Sequence, residues 1–260
     1  MTALTSFLRG GVLALGLTCG LSGTQASADT LFCPQTETRV AVLGDSLADG
    51  VWGAMFRGWL GCDTLDLYRV TEVGDGLAKS DPSAWSGRLT GGIGGAARTD
   101  LVVIQVGAND IRAIRTDGGR AVFDTPDWDT LYSDRARALL TAARGISDNV
   151  IWLGLPIVGD DKLEGPYSRV SALQAAVVQE RAASDKQTLF VDMHEETQFG
   201  TGGYVQSVTL GDTLTQLRAS DRIHFSERGY DMVVDVFSQE MEQRLKTGDL
   251  ETNLNELILQ

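Results

Sequence analysis

Three short segments, far apart in the chain, carry the side chains that acyl transfer by a hydroxyl nucleophile requires. They are Gly44-Asp45-Ser46-Leu47, Gly107-Ala108-Asn109-Asp110 and Asp221-Arg222-Ile223-His224. Ser46 offers a nucleophile that is weak until a base takes its proton. His224 is such a base, and Asp221, three residues earlier, can fix its tautomer and stabilise the imidazolium. The side-chain amide of Asn109 and the backbone N–H of Ser46 are suitable donors to an oxyanion. Each segment alone has a plainer reading. Gly-Asp-Ser before a helical pattern is a good turn and helix cap, Gly-x-Asn-Asp is an ordinary turn, and Asp-x-x-His arises by chance. All three together, at strand ends or before a helix, point to a Ser46–His224–Asp221 triad.

The elements that must position these residues follow from the apolar pattern. Arg39 to Leu43, Leu65 to Val73, Leu101 to Val106, Val150 to Leu153 and Leu189 to Val191 are short, nearly continuous apolar runs. Between them lie helical spacings: Trp52 to Leu60, Tyr132 to Arg144, Val170 to Arg181, and finally Val233 to Leu245. Apolar strands separated by helices predict a parallel sheet covered on both faces. The fold class is therefore α/β, a three-layer αβα sandwich with a doubly wound parallel sheet of about five strands. In such a sheet, ligands bind outside the carboxyl ends of the strands. Ser46 and Asn109 follow the first and third strands and so face one crevice. The Gly-rich, polar segment Phe199 to Ala219 reads as a long loop near that crevice.

The N-terminus reads as a secretory signal peptide over residues 1–28. Arg9 is its only charge, Gly11 to Leu21 is apolar, and Ala26-Ser27-Ala28 is a small-residue cleavage site. Gly16 stands where a lipidation signal would carry Leu three residues before Cys19, so a lipid anchor is not expected. Residues 29–260 read as one domain, secreted or periplasmic. Cys33 and Cys62 then remain as an even pair in an oxidising compartment, a candidate disulfide. The formal net charge is −13, which argues against nucleic acid and anionic membrane surfaces as partners. With two His and no C-x-x-C, no metal-ligand pattern is present, and no cofactor is expected.

The chain resembles the SGNH (GDSL-type) hydrolase superfamily over nearly all of its mature length. Gly44-Asp45-Ser46-Leu47 is similar to the first block of that family, with the nucleophile. Gly107-Ala108-Asn109-Asp110 is similar to the third, with the oxyanion Asn, and Asp221-Arg222-Ile223-His224 to the fifth. The second block normally adds a Gly whose N–H completes the oxyanion hole; Gly76 is the best match and Gly74 the alternative. With Trp85 and Leu217-Arg218-Ala219-Ser220, this segment resembles an exported bacterial branch of unknown function. Arg222 departs from that branch, which commonly has Gly there. The resemblance implies a flavodoxin-like SGNH fold and a serine esterase acting on carboxylic esters, such as O-acyl groups on carbohydrate or envelope polymers. An O-acyltransferase with the same triad and a non-catalytic binding protein of the same fold are the alternatives. Asp45 and Asp110 are expected to hold turns by hydrogen bonds. His194 is expected to be a surface or loop residue, and Trp85 and Tyr167 to pack beneath the crevice.

Overall fold

The structure is a computed structural model that describes residues 33–34 and 36–248. The expected signal peptide, with Cys19, and the outer ends of the expected domain lie outside the described residues. In chain order the first elements are β1 (Thr38–Gly44), α1 (Ser46–Gly58), β2 (Leu65–Thr71), α2 (Pro82–Gly92) and β3 (Thr99–Gln105). They are followed by β4 (Ile114–Thr116), β5 (Gly119–Ala121), α3 (Pro126–Ile146), β6 (Ser147–Leu153), α4 (Asp161–Ala182) and β7 (Thr188–Val191). The chain continues through α5 (Met193–Glu196), β8 (Ser207–Leu210), β9 (Thr213–Gln216) and α6 (Glu227–Thr247).

The central sheet has the order β2-β1-β3-β6-β7, and every pairing in it is parallel. This is the expected doubly wound sheet. The strands read as unbroken apolar runs because both faces are covered. Val40, Val42, Val103 and Leu153 face α1 and α6, where Val51, Met55, Val233 and Phe237 meet them. Ala41, Leu43, Val102, Ile104 and Trp152 face α2, α3 and α4, against Trp85, Trp128, Leu139 and Val170. The chain leaves β1 toward β2 on one side and returns to β3 on the other. Strand order reverses there, so the carboxyl ends of β1 and β3 open onto the crevice that holds the site.

Two segments differ from the expected pattern. Phe199 to Ala219 is not a structureless loop: β8 and β9 pair within it as an antiparallel hairpin around Gly211-Asp212. Its strands are short and largely solvent-facing, so no apolar alternation announces them. Helix α2 falls where periodicity is weak, since only Trp85 and Leu89 of its residues are buried. Its start is marked by chemistry instead: Asp81 caps it through a bond from Ser83 N–H, and Pro82 occupies the first turn. Cys33 and Cys62 are joined, with Cα atoms 5.3 Å apart. The bridge ties the segment before β1 to the turn after α1, at the end of the sheet opposite Ser46.

Candidate active site

Ser46 sits where β1 turns into α1. Gly44, at φ +148°, makes that turn possible, because a Cβ there would lie 1.7 Å from the carbonyl oxygen of Gln105. Asp45 is the helix cap. Its Oδ1 accepts from Leu47 N–H at 2.9 Å, and its Oδ2 accepts from Gly107 and Ala108 N–H, each at 2.9 Å. One buried carboxylate thus fixes the Ser46 segment to the Asn109 segment. Ser46 is the first helical residue, and its N–H belongs to the first turn, whose donors have no intrahelical acceptor. That N–H remains available to a ligand.

His224 arrives on a narrow loop. Ala219 N–H donates to His224 O, Ser226 N–H donates to Leu217 O, and Arg218 pairs with Phe225 in an isolated bridge. Arg218 is fully buried beneath this loop. Its guanidinium lies 3.8 Å from the Phe225 ring centroid and donates to Ile223 O at 3.1 Å. Burial pulls Arg218 down to about 10, so it stays charged at neutral pH. His224 Nε2 lies 2.7 Å from Ser46 Oγ, and His224 Nδ1 lies 2.6 Å from Asp221 Oδ2. Asp221 Oδ1 also accepts from Ile223 and His224 N–H, at 2.9 and 3.0 Å. Burial raises Asp221, but these backbone bonds and the imidazole outweigh it and hold the carboxyl below its usual range. Arg222 adopts φ +63°, a left-handed conformation that favours Gly. The Gly common in the similar branch is the residue this backbone prefers.

The third wall comes from β3 and the segment after β2. Asn109 donates one amide N–H to Asp75 O at 2.9 Å, which leaves the second for a ligand. Asp75, missed in the sequence, is the organiser. Its carboxylate accepts from Gly76 N–H at 2.8 Å and from Ser80 Oγ at 2.7 Å, and lies 2.7 Å from Arg88 Nη1. Burial raises Asp75, but the bonds from Ser80, Gly76 and Arg88 outweigh it and hold the group low. Gly76 is buried, and a Cβ on it would lie 2.1 Å from Asp110 Oδ1. Gly74 lies on an exposed turn at φ +76°. Asp110 accepts from Leu77 N–H, Ala78 N–H and Tyr132 Oη at 3.0, 2.8 and 2.9 Å. Burial pushes Asp110 up to about 7, against the pull of those bonds. Burial likewise pushes Asp45 up to about 6, although three backbone N–H groups and the nearby His224 pull it down.

Ser46, Asn109, Asp221, His224 and Gly76 therefore converge on one crevice, and Gly74 stays at its outer turn. Asp45 and Asp110 hold turns, as expected. Trp85 is fully buried, and Tyr167 is buried with its hydroxyl donating to Ala108 O at 2.9 Å. His194 pairs with Glu164. Sequence reasoning missed Asp75, Arg88 and the burial of Arg218. Only Arg218 carried a signal, as a charge inside a segment already tied to the His loop.

A family model described as a protein of unknown function, DUF459, matches residues 39–240. No curated protein matches the sequence. Among solved structures, the chain is similar to LAE5, an α/β hydrolase enzyme from the metagenome of Lake Arreo, Spain. That match has 16% identity and a TM-score of 0.53, covering 86% of this chain and 100% of the other. It is also similar to Axe2, an acetylxylan esterase from Geobacillus stearothermophilus, at 17% identity and a TM-score of 0.51. That match covers 80% of this chain and 96% of the other. A putative acylhydrolase from Bacteroides fragilis matches at 18% identity and a TM-score of 0.50, covering 84% and 93%. At these identities the likeness is one of fold.

Proposed function

The chain belongs to the DUF459 family, whose fold is of the SGNH type, and we propose that it is a serine esterase. The observation that carries this reading is the continuous relay Ser46 Oγ–His224 Nε2–Asp221, with contacts of 2.7 and 2.6 Å. Ser46 Oγ attacks the ester carbonyl carbon as its proton passes to His224 Nε2. Negative charge collects on the carbonyl oxygen, which accepts from Ser46 N–H and the free N–H of Asn109. The C–O bond to the alcohol then breaks, and His224 returns the proton to the departing alkoxide. Water attacks the acyl-enzyme with His224 again as base, releasing the acid and restoring Ser46. Asp221 keeps the proton on Nδ1, so that Nε2 faces the nucleophile. Gly76, the buried one of the two candidate glycines, donates its N–H to Asp75 Oδ1 at 2.8 Å, so Ser46 N–H and Asn109 carry the oxyanion role in this reading.

The substrate class is an O-acyl group on a carbohydrate or envelope polymer. This draws on the likeness to an acetylxylan esterase, of which serine-to-alanine and aspartate-to-alanine variants are both described as catalytic mutants. Export, with removal of residues 1–28, fits the Cys33–Cys62 bridge. It also fits the absence, among the described residues, of any helix long and apolar enough to cross a membrane. The test is turnover of simple esters by the mature protein and by Ser46→Ala. Loss of turnover in a folded variant supports the reading, and unchanged kinetics contradict it. Adding a sugar acceptor separates hydrolysis from acyl transfer.

A further inference from the structure

The connection that leaves Asn109 carries a charge pattern that opening an ester does not itself need. Residues 111–121 hold three arginines, Arg112, Arg115 and Arg120, against one acid, Asp117. In the hairpin, Arg115 lies directly opposite Arg120, and Ile114 directly opposite Ala121. Directly opposed residues share a face, and successive pairs alternate between faces. Ile114 and Ala121 are buried, so Arg115 and Arg120 stand side by side on the solvent face, both exposed.

Like charges directly opposed destabilise a hairpin, and here each strand has only three residues. Among the described residues, no carboxylate forms an ion pair with Arg112, Arg115 or Arg120. The contrast with other exposed arginines is clear. Arg57, Arg69, Arg98, Arg137 and Arg181 each have an acidic partner within 3.1 Å. The chain has 35 acidic residues against 22 basic ones, so acid partners are abundant and this cluster still lacks them. Its position adds meaning. Arg112 lies three residues after Asn109, within about 10 Å of backbone reach. On the other side of the site, Arg222 is exposed between Asp221 and His224, its guanidinium 5.4 Å from the Tyr204 ring centroid. It too has no carboxylate partner among the described residues.

We propose that the β4–β5 hairpin is an anion-recognition arm, and that the ester opened at Ser46 is borne on a polyanionic polysaccharide. This rests on the esterase reading. Arg115 and Arg120 present two guanidinium forks to carboxylates or phosphates of the polymer, and Arg222 presents a third beside the triad. Such forks suit planar or tetrahedral anions through paired N–H bonds. The chain as a whole repels a polyanion, but at physiological ionic strength exposed charges are largely screened beyond about 8 Å. A local cation cluster therefore decides where the polymer docks. A neutral glycan gains nothing from it.

The test uses Arg115→Gln/Arg120→Gln and four substrates: O-acetylated polygalacturonate, an acetylated phosphodiester-linked glycan, acetylated xylan and 4-nitrophenyl acetate. The double variant should lose about tenfold in kcat/KM on a polyanion at physiological ionic strength, mainly through KM. Added salt should erase the wild-type advantage. Rates on xylan and 4-nitrophenyl acetate should not change, and the melting temperature should not fall, because a repulsion has been removed. The polyanion whose KM moves identifies carboxylate or phosphate as the anion read. Equal kcat/KM of both proteins on both polyanions, with 4-nitrophenyl acetate hydrolysed by each, overturns the arm and leaves the esterase reading intact. No hydrolysis of 4-nitrophenyl acetate by the wild type overturns the reading beneath it.

Discussion

Asp45→Asn removes a negative charge and an acceptor from a fully buried position. The native carboxylate serves three N–H groups with two oxygens. An amide has one oxygen, so it can keep Gly107 and Ala108 or keep Leu47, and its NH2 group then faces a donor. Leaving a buried donor unpaired costs about 1–3 kcal/mol. Charge acts the other way. Burial puts Asp45 at about 6 in the folded protein, against an ordinary value of 3.8. Ionising it in the folded state therefore costs about 3 kcal/mol, at about 1.36 kcal/mol per pH unit between the two values. The sign follows from which state binds the proton more tightly. The folded state does, so the stabilisation is complete below the unfolded value and is lost as pH rises through about 6. Asn has no such proton to lose. Near pH 4 Asp45 is protonated, but its hydroxyl oxygen still accepts where an amide NH2 cannot, so the variant should be less stable by about 1–3 kcal/mol there, and the gap should close or reverse by about pH 8. In a domain of this size, 1 kcal/mol moves the melting temperature by about 2–4 °C, so melts across that range resolve it. Asp110 is pushed to about 7 by burial and in part by the Asp45 charge; without that charge it ionises at lower cost, which closes the gap further at high pH. A gap that stays constant or widens with pH would show that Asp45 is ionised throughout and refute the reasoning.

Asn109→Ala removes one oxyanion donor and should lower kcat by roughly 10²–10³ with little change in KM; a rise in KM alone would make Asn109 a ground-state binder. Asp221 is held below the usual carboxylate range, so it stays ionised across the neutral range. As the His base takes up a proton, kcat/KM should fall toward acid pH, and Asp221→Asn should depress kcat severely by freeing the tautomer. Activity that does not fall toward acid pH would argue against a His base. Reducing the Cys33–Cys62 bridge should cost about 3 kcal/mol of stability and leave kcat unchanged, read by melts and turnover with and without reductant; two free thiols in the unreduced, exported protein would remove the premise.

The sheet was legible because burial on both faces leaves no alternation, only apolar runs such as Val40 to Leu43 and Leu101 to Ile104. Ser46, Asn109, Asp221 and His224 were legible because each closes such a run or precedes a helix, where topology alone brings them together. The hairpins were not. The strands β4 and β5 have three residues each, too few to show a period. Asp75 was equally hidden. Nothing in Gly74-Asp75-Gly76 marks that its carboxylate meets Arg88 from α2, or that its carbonyl meets Asn109 from the end of β3. Such contacts depend on how three separate segments stack. Arg222 shows the opposite case. Its departure from Gly was visible in sequence, and the backbone at φ +63° supplies the physical reason that Gly is favoured.

The central claim is that Ser46 is a nucleophile activated by His224. The most direct measurement is the intact mass and peptide map of the mature protein after exposure to a serine-directed organophosphonate. The account predicts one adduct, on the peptide that carries Ser46, with labelling abolished in Ser46→Ala and strongly slowed in His224→Ala. Absence of an adduct on the folded wild-type protein, or an adduct on a different serine that persists in Ser46→Ala, would contradict it.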